Sequence, residues 1–249
     1  MSGHSKWANI KHRKAAQDSK RAKVWTKILK EITISARHGG GDPDANPRLR
    51  TAVIAARTSN IPNDTLQRAI KKGTGELEGV NYEEILYEGY GPYGIALMLE
   101  IMTDNRQRTV AEIRHLLSKH GGNLGESGSV AWNFTRKGNI VIDSEQVSED
   151  DLIMKALDAG AVDVKREGDS FSVLCEPSDF NDLHEALKKD FSISHAEIEQ
   201  IPGTTVKIET VEEATKFMKL YEMLEDHDDV QKVWDNSEIP EAVMEQLNE

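Results

Sequence analysis

Ile95-Ala96-Leu97-Met98-Leu99-Glu100-Ile101 is nearly uninterrupted apolar sequence. A run of this kind without polar alternation reads as a central strand. Downstream, Thr109-Val110-Ala111-Glu112 has the spacing of a capping box and opens a helix with Val110, Ile113 and Leu117 on one face. Gly121-Gly122 closes that helix, and Ser129–Phe134 (SVAWNF) reads as the next strand. Near the C-terminus the order repeats. Thr205–Ile208 reads as a strand, residues 211–226 as a helix burying Ala214, Phe217, Met218, Tyr221 and Leu224, and Val230–Trp234 as a strand. Two β-α-β units in succession make the split order of a ferredoxin-like domain.

The segment between these halves carries the same order again. Ile140–Ile142 reads as a strand, Leu152, Ile153, Ala156 and Leu157 mark a helix, and strands Ala161–Lys165 and Ser170–Cys175 flank Glu167-Gly168-Asp169. A helix lined by Phe180, Leu183 and Leu187 follows, then a strand over Ser194–Gln200. The expectation is one ferredoxin-like domain inserted into another.

The first 75 residues read as helices only. From Lys20 to His38, Val24, Ile28 and Ile32 form an apolar stripe widened by Trp25, Leu29 and Ala36, and Gly39-Gly40-Gly41 ends it. A second helix, about 47–59, opens on Pro47 with Leu49, Val53, Ile54 and Ala56 inward. A third begins at Pro62 and Asp64, carries Leu66, Ala69 and Ile70, and is stopped by Gly73. The fold class is therefore α+β: a basic three-helix N-terminal domain (1–78, with a loose leading tail), then a discontinuous ferredoxin-like domain (79–136 plus 204–249) around an inserted one (137–203). Gly73–Gly79 reads as the joint.

Charge divides the chain at the same place. The protein is formally −12, yet residues 1–75 hold 16 Lys and Arg against 5 Asp and Glu, a net of +11, leaving −23 on the remainder. Between Ser2 and Lys30 nine cations face one acid, Asp18, and Trp7 and His12 interleave with them. Clustered cations with flat rings are the footprint of a nucleic-acid partner. Lys6, Lys11, Arg13, Lys14, Lys20, Arg21 and Lys23 are the expected phosphate contacts, Trp7 and His12 flank them, and Arg48, Arg50 and Arg57 extend the face. Asp104–Arg108, between strand and helix start, offers Arg106 and Arg108 as a second anion site; local pairing of these arginines with Asp104 or Glu112 is the alternative.

Several signatures resemble one known family. Gly3-His4-Ser5-Lys6-Trp7-Ala8-Asn9-Ile10-Lys11-His12-Arg13-Lys14 is similar to the opening of the YebC-type (YebC/PmpR) family. Gly39-Gly40-Gly41-Asp42-Pro43, Asn46-Pro47-Arg48-Leu49-Arg50, Tyr87-Glu88-Gly89-Tyr90-Gly91-Pro92, Asp104-Asn105-Arg106-Gln107-Arg108-Thr109 and Gly121-Gly122-Asn123-Leu124-Gly125 resemble its further motifs in order. The resemblance covers essentially the whole chain. It implies a three-domain α+β protein of the kind described in bacteria as DNA-binding transcriptional regulators. Mitochondrial relatives are translational activators, and the family is linked to the ribosome at proline-rich stretches. With no extension before the signature, the chain resembles a bacterial, cytoplasmic member.

Other function classes find little support. Gly89–Gly94 spells G-x-G-x-x-G, but a strand follows where dinucleotide binding needs a helix. Gly121–Gly128 lacks the Gly-Lys-Ser/Thr ending of a phosphate loop and reads as a helix-to-strand turn. Strands 95–101 and 205–208 carry no aromatics for stacking RNA bases. Cys175, the single cysteine, sits with Phe171 and Val173 on one strand face as a core thiol and fits a reducing compartment. The histidines form no metal or catalytic pattern, and no apolar run is long enough to cross a bilayer. The expectation is a non-enzyme with no cofactor, metal, membrane or small-molecule substrate. Its partners are DNA, or ribosomal RNA and the ribosome, with a protein partner for the acidic domains. An acidic body suits docking beside a polyanion, which keeps a transcriptional regulator and a translation factor both open.

Overall fold

The computed structural model describes residues 18–144 and 147–247. Three helices come first: α1 (Asp18–Gly39), α2 (Pro47–Thr58) and α3 (Asn63–Thr74). Their shared core joins Ile32, Ala36, Leu49, Ala52, Val53, Ala56, Leu66 and Ile70, with Trp25, Ile28 and Leu29 against it. Two expected core residues face out instead, Val24 at 46% exposure and Ile54 at 57%. The seams run through 25/28/29/32/36 and 49/52/53/56, and Val24 and Ile54 each lie one residue, about 100° of helix, off that seam. Asn46 is the buried cap of α2: its carboxamide oxygen accepts from the Leu49 N–H, and its nitrogen donates to the Ser35 and Gly40 carbonyls. Gly73 lies inside α3, where α1 passes so close that a Cβ would collide with the Thr33 carbonyl. The helix stop is Gly75, in the left-handed region at φ 83°.

The first sheet contains β1 (Glu83–Tyr90), β2 (Ala96–Thr103), β3 (Asn123–Leu124) and β9 (Val230–Asp235), ordered β3-β1-β2-β9. Each paired neighbour is antiparallel. Helices α4 (Arg106–Lys119) and α7 (Val211–Glu225) complete its core: Leu97, Leu99 and Ile101 meet Ile113, Leu117, Phe217, Leu220 and Leu224. Residues 205–208 are corrected. Only Val206–Lys207 (β8) is extended, and it pairs in parallel with β10 (Ser237–Glu238), apart from the main sheet. Ser129–Phe134 is also corrected. It holds a 3₁₀ turn over Ala131–Asn133 with Trp132 75% exposed, and the edge strand is Asn123–Leu124. The other central strand is Glu83–Tyr90, which its glutamates conceal in the sequence. Glu88 is buried because its carboxylate accepts from the Gly128, Val130 and Ala131 N–H groups. Burial pushes its pKa up, and the three donors pull it below the usual range. The loop after α4 is thus wrapped around a β1 side chain.

The second sheet is inserted between β3 and β8. It comprises β4 (Phe134–Asp143), β5 (Ala161–Glu167), β6 (Ser170–Cys175) and β7 (Ile193–Pro202), ordered β5-β6-β4-β7. Helices α5 (Glu149–Asp158) and α6 (Phe180–Leu187) pack on the face carrying Ile140, Ile142, Phe171, Val173 and Cys175. The chain is α+β, two nested units behind a helical head: the inserted one runs β-α-β-β-α-β in the ferredoxin-like order, and the outer one runs β-β-α-β before the insertion and α-β after it. Asn133 fastens the exit to the return: it donates to the Thr204 carbonyl and accepts from the Thr204 N–H and hydroxyl. A last helix, α8 (Glu241–Leu247), packs Val243 and Met244 into the first core.

Candidate nucleic-acid interface

The basic tail residues Lys6, Trp7, Lys11, His12, Arg13 and Lys14 lie outside the described residues, as do the side chains of Lys20 and Arg21 at the start of α1. The cations that follow divide into committed and uncommitted groups.

Lys23, Lys27 and Lys30 recur at i, i+4, i+7 along α1, and the first two reach the end of α7. Lys23 donates to the Asp226 carbonyl at 2.9 Å, and Lys27 to the Glu225 carbonyl at 2.6 Å. A helix C-terminus exposes unpaired carbonyls and partial negative charge, so lysines are matched to it. Lys30 goes deeper, to the carbonyls of Met102 and Asp228 and, at 2.6 Å, to Asp229 Oδ1. The other Asp229 oxygen accepts from Arg108 at 2.8 Å and from the Thr109 and Thr103 hydroxyls at 2.7 and 3.1 Å. Burial would raise the Asp229 pKa, but bonds from Lys30, Arg108 and Thr109 hold it far below the ordinary carboxylate range. This buried pair locks the helical head to the first sheet.

Arg108 is bonded to both Asp229 and Asp104, and its Nε stands 4.0 Å from Glu112. Bonding to Asp229, and then to Asp104, raises its pKa. The helix it belongs to begins at Arg106 under an Asn105 cap that accepts from the Arg108 N–H. Thr109 is therefore buried inside α4, and the expected capping box there is corrected. The capping box that forms is Thr210 with Glu213, opening α7. Of the residues expected to be buried on α7, Ala214, Phe217 and Leu224 are, Met218 and Tyr221 are only partly so, and Leu220 joins the buried set.

Arg48 bridges Glu31, at 2.6 Å from Nε, and Glu84 of β1. Bonding to Glu31 first, and then to Glu84, raises its pKa against the cost of burial. Arg50 donates to the Pro43 and Asp44 carbonyls and braces the loop between α1 and α2. The side chains of Arg57 and Arg106 are exposed and make no hydrogen bond or ion pair among the described residues. The same holds for Arg68, Lys71 and Lys72 on α3, which the sequence reading passed over. Their signal was available: exposed cations on the outer face of a helix whose inner face is Leu66, Ala69, Ile70 and Gly73.

Three groups of described residues bring histidine or carboxylate ligand atoms within 4.8 Å of one another. Each already holds a protein cation: Lys30 and Arg108 on Asp229, Lys232 on Glu197, and Arg48 on Glu31 and Glu84. Cys175 is buried, and burial raises its thiol pKa, which disfavours the reactive thiolate. No described helix is long and apolar enough to cross a membrane.

A cationic helical head locked onto a pair of nested α/β units defines the class of protein. Residues 5–76 match the family model described as the TACO1/YebC protein N-terminal domain, and residues 82–237 match the TACO1/YebC second and third domain. The chain belongs to the TACO1/YebC family. It is 52% identical to a "Probable transcriptional regulatory protein" of Halothermothrix orenii, across 100% of both chains. It is 53% identical to one of Magnetococcus marinus over the same span. A relative of that name from Carboxydothermus hydrogenoformans is 55% identical over 96% of this chain and 99% of its own. Among solved structures, a conserved hypothetical protein of Aquifex aeolicus, Aq1575, superposes with a TM-score of 0.79. It shares 46% identity and covers 92% of this chain and 94% of its own.

Proposed function

We propose that this chain is a non-enzymatic, cytoplasmic regulator of gene expression that binds nucleic acid through its helical head, with DNA as the target and transcription as the process. The observation carrying this reading is the charge division: +11 over residues 1–75 against −23 over the rest. The names of its relatives as transcriptional regulatory proteins support it. The working units are 1–78, 79–136 with 204–249, and the inserted 137–203.

Lys6, Lys11, Arg13, Lys14, Lys20 and Arg21 neutralise phosphates, with Trp7 and His12 beside them and Arg57 continuing the face. Lys23, Arg48, Arg50 and Arg108 act indirectly, each giving at least one donor to hold the head, its loop and the α/β units together. Arg106 remains an uncommitted cation at the first turn of α4. Phosphate contacts of this kind give affinity and orientation with little sequence information. The acidic units stay off the polyanion and are available to a protein partner.

The test is charge reversal of Lys11, Arg13 and Lys14 to Glu in the full chain. Retention on duplex DNA at moderate salt should be lost, and unchanged retention would reject the assignment. Crosslinking in cells, followed by sequencing of both DNA and RNA, separates transcription from translation. Recovery of ribosomal RNA alone would move the target to the ribosome.

A further inference from the structure

The uncommitted cations of α3 border a cleft. Thr65, Arg68, Ala69 and Lys72 stand at i, i+3, i+4 and i+7 on one side of an opening of about 370 Å³. The opposite wall is the α1 stripe with the same spacing, Thr26, Leu29, Lys30 and Thr33, and Val80 and Tyr82 border the opening from the following segment. The volume falls in the lower part of the range of small-ligand sites, about 300–1,000 Å³. No carboxylate lines it, whereas three cations do.

The donors differ in availability. Lys30 is spent on Asp229 and two carbonyls. Thr26 and Thr33 give their hydroxyls to the Ala22 and Leu29 carbonyls of their own helix. Arg68, Lys72 and the hydroxyls of Thr65 and Tyr82 have no hydrogen-bond partner among the described residues. Burial first, and then the fields of Asp104 and Asp229, raise the Tyr82 pKa, so its hydroxyl keeps its proton at neutral pH. Those two acids are themselves occupied, Asp104 by Arg108 and Asp229 by Lys30 and Arg108. The Tyr82 ring is a flat wall with the Lys30 ammonium 5.5 Å from its centre.

We infer that this cleft between α1, α3 and the 80–82 segment seats one phosphodiester of a bound nucleic-acid strand, held by Arg68 and Lys72 with Thr65 and Tyr82 as neutral donors. The inference rests on the nucleic-acid reading above and deepens it. Two cations on adjacent turns of one helix oppose one phosphate charge, and the hydroxyls suit its remaining oxygens. The cleft thereby fixes how the strand crosses the head.

The experiment measures binding of labelled duplex DNA and single-stranded RNA to the full chain between about 50 and 200 mM salt. Wild type is compared with Arg68→Gln/Lys72→Gln, and Lys189→Gln on the inserted unit is the control. Both substituted positions are exposed, so the variant should keep the wild-type urea midpoint. The expected result is a salt slope smaller by about 1–2 in the double variant, with the control unchanged. Wild-type binding with an unchanged slope in the double variant overturns the cleft and leaves the functional reading standing. Adenosine monophosphate and inorganic phosphate are titrated in parallel. If either binds wild type but not the double variant while the polymer slope stays the same, the cleft takes free phosphates and the strand seat is overturned. Absence of polymer binding by wild type overturns the functional reading, and the strand seat with it.

Discussion

Two cationic stripes on the same helical head share a spacing and differ in use. Along α1, Lys23, Lys27 and Lys30 are pulled into the protein by the carbonyl end of α7 and by Asp229. Along α3, Arg68 and Lys72 meet no acid or carbonyl among the described residues. Periodicity identifies a stripe but not its partner. What decides is the negative element that the rest of the fold delivers, here a helix C-terminus brought in from about 200 residues away. The basic composition of the head therefore serves two purposes, docking to its own acidic body and facing outward.

The largest expected effect breaks the docked stripe. Lys30→Met leaves a buried carboxylate without its main counter-ion and should cost about 3–5 kcal/mol, read from urea midpoints. Adding Asp229→Leu should recover part of that loss. If the two substitutions simply add, the pair is not coupled.

Acid sharpens the same contrast. Asp229 and Glu88 both have pKa values below the ordinary range in the folded chain. Their contribution is complete above the unfolded carboxylate values of about 4 and is lost as pH falls through the folded values. Urea midpoints should thus drop steeply below about pH 4, and Asp229→Asn should flatten that limb; a parallel limb would show that Asp229 does not supply it. Glu88→Gln should cost about 2 kcal/mol in the same assay, because one amide oxygen cannot serve three N–H donors. A wild-type midpoint would deny that the 128–131 loop is built on Glu88. The smallest effects separate Arg50 from Arg57. Either residue changed to Gln should move stability by no more than about 0.5 kcal/mol. Only Arg57→Gln should lower the salt slope of DNA binding, by about 1.

Much of the architecture was legible. Ile95–Ile101 marked β2, and the inserted unit was legible because short apolar runs such as Ile140–Ile142 and Val173–Cys175 stand between polar turns such as Glu167-Gly168-Asp169. Glu83–Tyr90 stayed hidden because a strand whose buried residues include Glu88 looks polar until its three N–H donors are seen, and those lie 40 or more residues away. Ser129–Phe134 misled for the complementary reason. Its apolar residues shape a turn around that carboxylate, and Trp132 points outward. Among the candidate site residues, the clustering of charge was readable. That Arg108 would be claimed by Asp229, 121 residues on, was not, since only the β2–β9 pairing brings them together.

The central claim is that the cationic head grips phosphodiester polymers. Its most direct test is equilibrium binding of the intact chain to duplex DNA and to RNA, followed as salt is raised from dilute buffer. A measurable affinity that falls linearly in log–log form, with a slope of several units, is the expected result. No binding to either polymer even in dilute buffer would contradict it.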